Sequence, residues 1–267
     1  MKLSISNIAW DSLNNVQVYK FMKNYGFTGL EIAPTKIFID NPYEKLKEAK
    51  EWSKMIREEY GFFISSMQSI WFGREEKIFN SENERNILTD YTKKAIDFAT
   101  VIGCGNLVFG CPKNRNIDKE LNDESVKETA INFFKFIGDY ANKAGTTIGM
   151  EANPAIYNTN FINDTLSALN LIKEVDSNGF LLNLDVGTMI QNEEKISELI
   201  GNIKYVNHIH ISEPQLKIIN KNNLHKELKE ILKKENYNKF ISVEMGKIEE
   251  VDKIERVMKY IWEVFKV

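Results

Sequence analysis

Eight times along the chain a short β-rich stretch gives way to an amphipathic helical one, with Gly, Asn or Pro at the breaks. The β-rich stretches are Lys2–Ile8, Thr28–Ala33, Phe62–Met67, Asn106–Gly110, Thr146–Glu151, Phe180–Asp185, Tyr205–Ile211 and Phe240–Met245. The helical ones are Val16–Tyr25, Pro42–Glu59, Glu84–Ile102, Ser125–Lys143, Asn163–Glu174, Lys195–Gly201, Lys226–Lys234 and Glu249–Phe265. Strict alternation repeated this often predicts an α/β fold of the (β/α)8 TIM barrel type, with residues 1–267 as one barrel domain. An open doubly wound sheet is the competitor, but it usually carries a Gly-rich phosphate turn after an early strand. Here the first strand runs into Asn7-Ile8-Ala9-Trp10 instead. The long connection 68–80, with Trp71, Phe72, Gly73 and Arg74, is expected to cover a pocket mouth.

Composition narrows the class of partner. A net charge of -3 and the lack of a long Lys/Arg run give no footprint for a phosphate backbone, so no nucleic acid partner is expected. No stretch approaches the length of apolar sequence that spans a bilayer, and the N-terminus lacks a basic region followed by an apolar run. The two cysteines, Cys104 and Cys111, have neither CxxC spacing nor a His neighbour and read as free thiols. A cytoplasmic protein with no membrane partner is the expectation, and association into a homo-oligomer is compatible with it.

In a barrel the chemistry sits where strands run into the loops that follow them. The last four strands end in Met150-Glu151, Leu184-Asp185, His208-Ile209-His210-Ile211 and Val243-Glu244, so each delivers an acid or an imidazole. Neighbouring strands lie about 4.8 Å apart, and carboxylates that close repel one another. One divalent metal ion bound by Glu151, Asp185, Glu244 and one strand-seven imidazole, His208 or His210, resolves the conflict. Hard oxygen donors with one nitrogen favour manganese, magnesium or cobalt, and zinc also fits.

Each residue also has a plainer explanation. Glu151 or Glu244 alone would suit an ion pair to a lysine, and Asp185 before Val186-Gly187 would suit a turn cap. His208 and His210 share a face by the period of two, where a strand histidine is commonly a satisfied core group. Glu31 could pair with Lys36, and Trp10 could simply pack the barrel top. Four such accidents at four consecutive strand ends are harder to accept than one metal site.

The segments MEANP around Glu151, NLDVG around Asp185, HIHISEP around His210 and SVEMG around Glu244 resemble the xylose isomerase-like barrel superfamily of sugar isomerases and epimerases. Their order and spacing are most similar to the D-tagatose 3-epimerase-type ketose epimerases, over essentially the whole chain. The resemblance implies a single metal held by Glu151, Asp185, His210 and Glu244, with Glu151 and Glu244 also the catalytic acid/base pair. It also implies a small sugar or polyol substrate. Two positions depart from the pattern: Thr188 stands where many members carry histidine, and Lys217 where many carry arginine. Both leave the substrate open.

A carboxylate removes the weakly acidic proton beside a carbonyl only when the developing enediolate is stabilised, as a chelated metal would do. Proton return from the other side of the same carbon gives epimerisation, and return to the neighbouring carbon gives isomerisation. His208, Lys217, Trp10, Glu31, Gln68 and Asn153 are the candidate substrate-binding residues. Without a Gly-rich anion cradle after strand seven or eight, an unphosphorylated substrate is favoured. Three alternatives stay open. A dehydratase acting on a keto-inositol or related compound begins with the same proton removal. A non-catalytic sugar-binding barrel needs only the fold. A DNA phosphodiesterase would need further ligands at strands two to four, where the chain offers Gln68 and Phe109.

Overall fold

The computed structural model describes residues 1–118 and 120–266. Strands β1 (Lys2–Ser6), β2 (Phe27–Ile32), β3 (Phe63–Met67), β4 (Leu107–Phe109), β5 (Ile148–Met150), β6 (Phe180–Asp185), β7 (Val206–Ile211) and β8 (Phe240–Val243) form one closed parallel barrel in chain order. Closure runs through Lys2↔Phe240 to Ile5↔Val243. The expected (β/α)8 barrel is therefore the observed one. β4 and β5 are shorter than expected, but ladder hydrogen bonds continue past the strand ends. The Glu151 N–H donates to Phe109 (3.1 Å) and the Glu244 N–H to Ile211 (2.9 Å), which fixes both glutamates at the C-terminal rim.

The helices are α1 (Asn15–Asn24), α2 (Leu46–Met55), α3 (Glu82–Ile102), α4 (Asp123–Lys143), α5 (Thr165–Val175), α6 (Val186–Asn192), α7 (Asn223–Lys234) and α8 (Val251–Phe265). Ser81, Asn122, Asp164 and Asn222 start α3, α4, α5 and α7 by accepting a hydrogen bond from a first-turn N–H. Gly103 ends α3 at a φ of 69°, which its lack of a Cβ permits. Apolar faces then clamp the sheet, with Phe134 of α4 against Phe109 (5.0 Å) and stacked on Phe180 (4.8 Å between centroids).

The sixth helix corrects the sequence expectation. It starts directly at the end of β6, and the segment expected to be helical, 195–201, holds only the short 3-10 turn Ile196–Leu199. Asp185 is the cause: its Oδ1 accepts from the Gly187 N–H (2.9 Å), so the chain enters the helix with no loop.

Two further features bear on stability and setting. Among the described residues no helix is long and apolar enough to cross a membrane. His225 of α7 is buried, its Nδ1 2.9 Å from the Tyr260 hydroxyl of α8, while its Nε2 has no partner among the described residues. Burial lowers its pKa from 6.5 to about 4. The unfolded chain takes up this proton near pH 6.5 and the folded chain only near pH 4, so the stabilisation is complete above 6.5 and is lost as pH falls through that window. Urea unfolding at pH 7 and pH 4.5 should show a loss on the order of 2 to 3 kcal/mol that a His225→Phe protein lacks. Equal losses in both proteins would contradict it.

Candidate functional site

Side chains from strands that are not neighbours meet inside this barrel, and they are polar. Ser4 of β1 and Ser65 of β3 share a 2.6 Å hydrogen bond, and Glu31 of β2 reaches across to β7. Such interiors are ordinarily filled by Val, Ile and Leu. Here the buried polar groups lead upward to a cluster at the C-terminal rim.

His210 is its centre and is fully buried. Its Nε2 lies 2.8 Å from Glu31 Oε2, and its Nδ1 lies 2.9 Å from Glu151 Oε1 and 3.1 Å from Glu244 Oε2. Burial opposes a charge on this ring, but Glu244 and Glu31 outweigh it and hold the pKa well above 6.5. Burial likewise works to raise Glu31, yet the imidazoles of His210 and His208 bring it below the usual carboxylate range. Glu244 is pushed up to about 7 by burial, with the nearby glutamates adding to the effect and His210 opposing it.

The donor set fits a cation. A ring nitrogen carries at most one proton, so the Nδ1 side of His210 offers one N–H to two carboxylate oxygens. A divalent ion would satisfy all three atoms at once. In an octahedral site with metal–ligand bonds of about 2.1 Å, adjacent ligand atoms lie about 3 Å apart; Nδ1 lies 2.9 and 3.1 Å from the two oxygens. Glu151, His210 and Glu244 form one group whose ligand atoms lie within 4.8 Å of one another.

Asp185 stands beside this group and caps α6, where the sequence suggested only a turn cap. Its Oδ1 also accepts from the Ser212 hydroxyl, and its Oδ2 accepts from Thr188 Oγ1 (3.0 Å). Its register partner on β7 is His210. Burial, then the charge of Glu151, push its pKa up to about 6.

The substrate-binding candidates divide. Glu31 does not pair with Lys36, which donates instead to the Trp10 carbonyl (2.7 Å). It is fully buried as the acceptor facing two histidines, with Gln68 donating to its other oxygen (3.0 Å). His208 lies one inward-facing position deeper on β7 than His210. It is buried, and its Nε2 is 3.1 Å from Glu31 without hydrogen-bond geometry. Trp10 is a packing residue in the core, its indole N–H donating to Asn15 (2.7 Å). Asn153 touches the cluster, donating to Glu151 Oε2 (3.3 Å). Lys217 is exposed and makes no side-chain hydrogen bond or ion pair to the described residues.

Several site residues escaped the sequence reading. Asn183 donates to Glu151 Oε1 (2.8 Å); its place two residues before Asp185, on the same face of β6, was the available signal. Arg115 is fully buried, donating to the Glu151 carbonyl and to Asn153 Oδ1 (both 2.9 Å). It lies in a loop with no periodicity to betray it. Gly110 leaves room for the glutamate, since a Cβ there would sit 3.0 Å from Glu151 Oε2. Residues of segments 69–77 and 111–114 line an open cavity of about 610 Å³ whose lining includes none of Glu151, Asp185, His210 and Glu244. Cys111 in its wall is near enough to Glu151 to feel its charge.

The family model of the xylose isomerase-like TIM barrels matches residues 19–262. Solved structures share the fold at low identity. D-psicose 3-epimerase from Clostridium cellulolyticum H10, solved with D-tagatose, superposes with a TM-score of 0.79 at 15% identity, covering 100% of each chain. The apo 3-keto-D-glucoside 4-epimerase from E. coli gives 0.76 at 17%, covering 98% of this chain and 99% of the other. The IOLI protein with a bound zinc atom gives 0.73 at 16%, covering 100% of each. No curated protein matches this chain in sequence.

Proposed function

Since the chain belongs to the xylose isomerase-like TIM barrel family, we propose that it is a divalent-metal-dependent sugar isomerase or epimerase acting on a small polyhydroxy ketone or aldehyde. The observation that carries the reading is the single imidazole nitrogen of His210 faced by the carboxylates of Glu151 and Glu244. In this reading Glu151, Asp185, His210 and Glu244 hold the ion. Manganese, magnesium and cobalt suit the oxygen-rich set, and zinc, present in the IOLI protein, suits it too. The ion would supply Lewis-acid stabilisation of the charge that develops on the substrate carbonyl oxygen.

The chain's own residues do the rest. Glu151 and Glu244 reach the imidazole from strands three places apart, so their carboxylates flank one reaction centre. One removes the proton beside the carbonyl and the other delivers a proton from the opposite face. Glu31 faces Nε2 of His210 and accepts a hydrogen bond from it, which would leave the Nδ1 lone pair free to bind the ion, as carboxylate partners of ligating histidines do. Asn153 and Arg115 steady the Glu151 carboxylate and its backbone.

Incubation with a panel of ketoses, keto-inositols and hydroxypyruvate, with products read by NMR, tests the assignment. An epimer or isomer is the expected product. An unsaturated product would make the protein a dehydratase, and binding without turnover would make it a sugar-binding barrel.

A further inference from the structure

A chain of hydrogen bonds crosses the barrel interior from one rim to the other. At the N-terminal rim Lys239 Nζ donates to Asn207 Oδ1 (2.9 Å). Asn207 Nδ2 donates to Asn106 Oδ1 (2.9 Å), and Asn106 Nδ2 donates to Asn183 Oδ1 (3.2 Å). Asn183 Nδ2 then donates to Glu151 Oε1 (2.8 Å) and lies 3.3 Å from His210 Nδ1 at the opposite rim.

The two ends dictate the direction of every amide between them. Lys239 has only donors to offer and an ionised Glu151 only acceptors, so each asparagine must turn its oxygen toward the lysine and its NH2 toward the glutamate. A reversal at any link would face donor with donor or acceptor with acceptor. Ser66 Oγ and the Gly105 carbonyl accept the spare N–H groups of Asn106 and Asn207, so the orientations are supported from the side as well. Room for the chain is built into the backbone. A Cβ on Gly149 would sit 2.6 Å from Asn106 Oδ1 and 3.1 Å from Asn183 Cβ. Asn106 and Asn183 are buried, and packing alone would be served by apolar side chains, which carry no penalty for a lost partner.

The geometry points to a polar relay, Lys239–Asn207–Asn106–Asn183, that positions the Glu151 carboxylate from the opposite end of the barrel. The three amide dipoles run head to tail with their positive ends toward Glu151, and aligned hydrogen bonds in a dry interior polarise one another. Lys239 is thus a positioning residue for a site it never touches. A cavity of about 430 Å³ at the N-terminal rim, lined by Lys239, Asn207, Asn106 and His208, gives the far end of the relay access to solvent.

The inference rests on the metal-site reading, and two measurements on the full chain separate their fates. The first is the affinity for Mn2+ alone. Asn183→Leu, next to a ligand, should weaken it by about 10–100-fold, and Asn106→Leu and Lys239→Met by roughly 3–10-fold, with Lys239→Arg restoring it to within about twofold. Thermal unfolding of the metal-free Lys239→Met protein should match that of the unsubstituted chain, since this side chain is only half-buried. The second is the side-chain amide resonance of Asn183 in metal-free protein, which should move in Lys239→Met and return in Lys239→Arg. An unmoved Asn183 resonance, or Mn2+ affinity unchanged in both Lys239→Met and Asn106→Leu, overturns the relay. Failure of the unsubstituted chain to bind any of Mn2+, Mg2+, Co2+ and Zn2+ would sink the metal reading and leave the amide resonance to decide the relay.

Discussion

A Glu244→Gln protein should retain its barrel and lose proton transfer. The amide keeps an oxygen where Glu244 Oε2 stood, 3.1 Å from His210 Nδ1, so the geometry of the cluster survives. What goes is the capacity to take up and return a proton, which positioned side chains supply at about 10²–10⁴-fold in rate. The same loss is expected of Glu151→Gln, because the reaction needs one group on each face of the substrate. Rates measured with saturating metal isolate this effect from any change in metal affinity. A fall of less than about tenfold in either variant would contradict the assignment of a catalytic pair.

His210→Ala should have the larger effect on metal and on folding together. Removal of the ring takes away the nitrogen donor and leaves Glu31, Glu151 and Glu244 facing a void. Groups that merely support a ligand are worth about 10–100-fold in metal affinity, so loss of the ligand itself should exceed 100-fold. Breaking a buried ion pair by deleting one partner costs about 3–5 kcal/mol, and urea unfolding of the metal-free variant should show a loss of that order. Mn2+ binding within tenfold of the unsubstituted chain would show that His210 is only a structural counter-charge.

The barrel itself was legible because eight parallel strands leave a repeated local signal: a short apolar run, a break, then a helical period. The rim acids were legible for a related reason. In a parallel barrel the C-terminal end of each strand faces the mouth, so Glu151, His210 and Glu244, which the fold groups together, and Asp185 beside them all fall at one rim by strand order. Depth inside the barrel was not legible. His208 and His210 share a face, but the stagger between strands decides that one meets only Glu31 while the other also meets the rim glutamates. Glu31 reads from sequence as a substrate-binding candidate with Lys36, five residues away, as its plainer partner, whereas its partners in the fold lie 177 and 179 residues further along. Asp185 concealed α6 for a different reason. An aspartate that ends a strand and also caps the next helix removes the loop by which the sequence would announce the boundary. The asparagine relay is not legible as a unit, since Asn106 precedes β4, Asn183 lies inside β6 and Asn207 lies near the start of β7, and only the closed barrel brings them into line.

The central claim is that this chain moves a carbon-bound proton with two glutamates around one divalent ion. Wash-out of the proton beside a ketose carbonyl, followed by proton NMR in D2O with metal-loaded and then chelator-treated protein, measures it directly. Loss of one such signal that stops on chelation and resumes when Mn2+ is restored is the predicted result. Loss that continues undiminished in protein shown to be metal-free would contradict it.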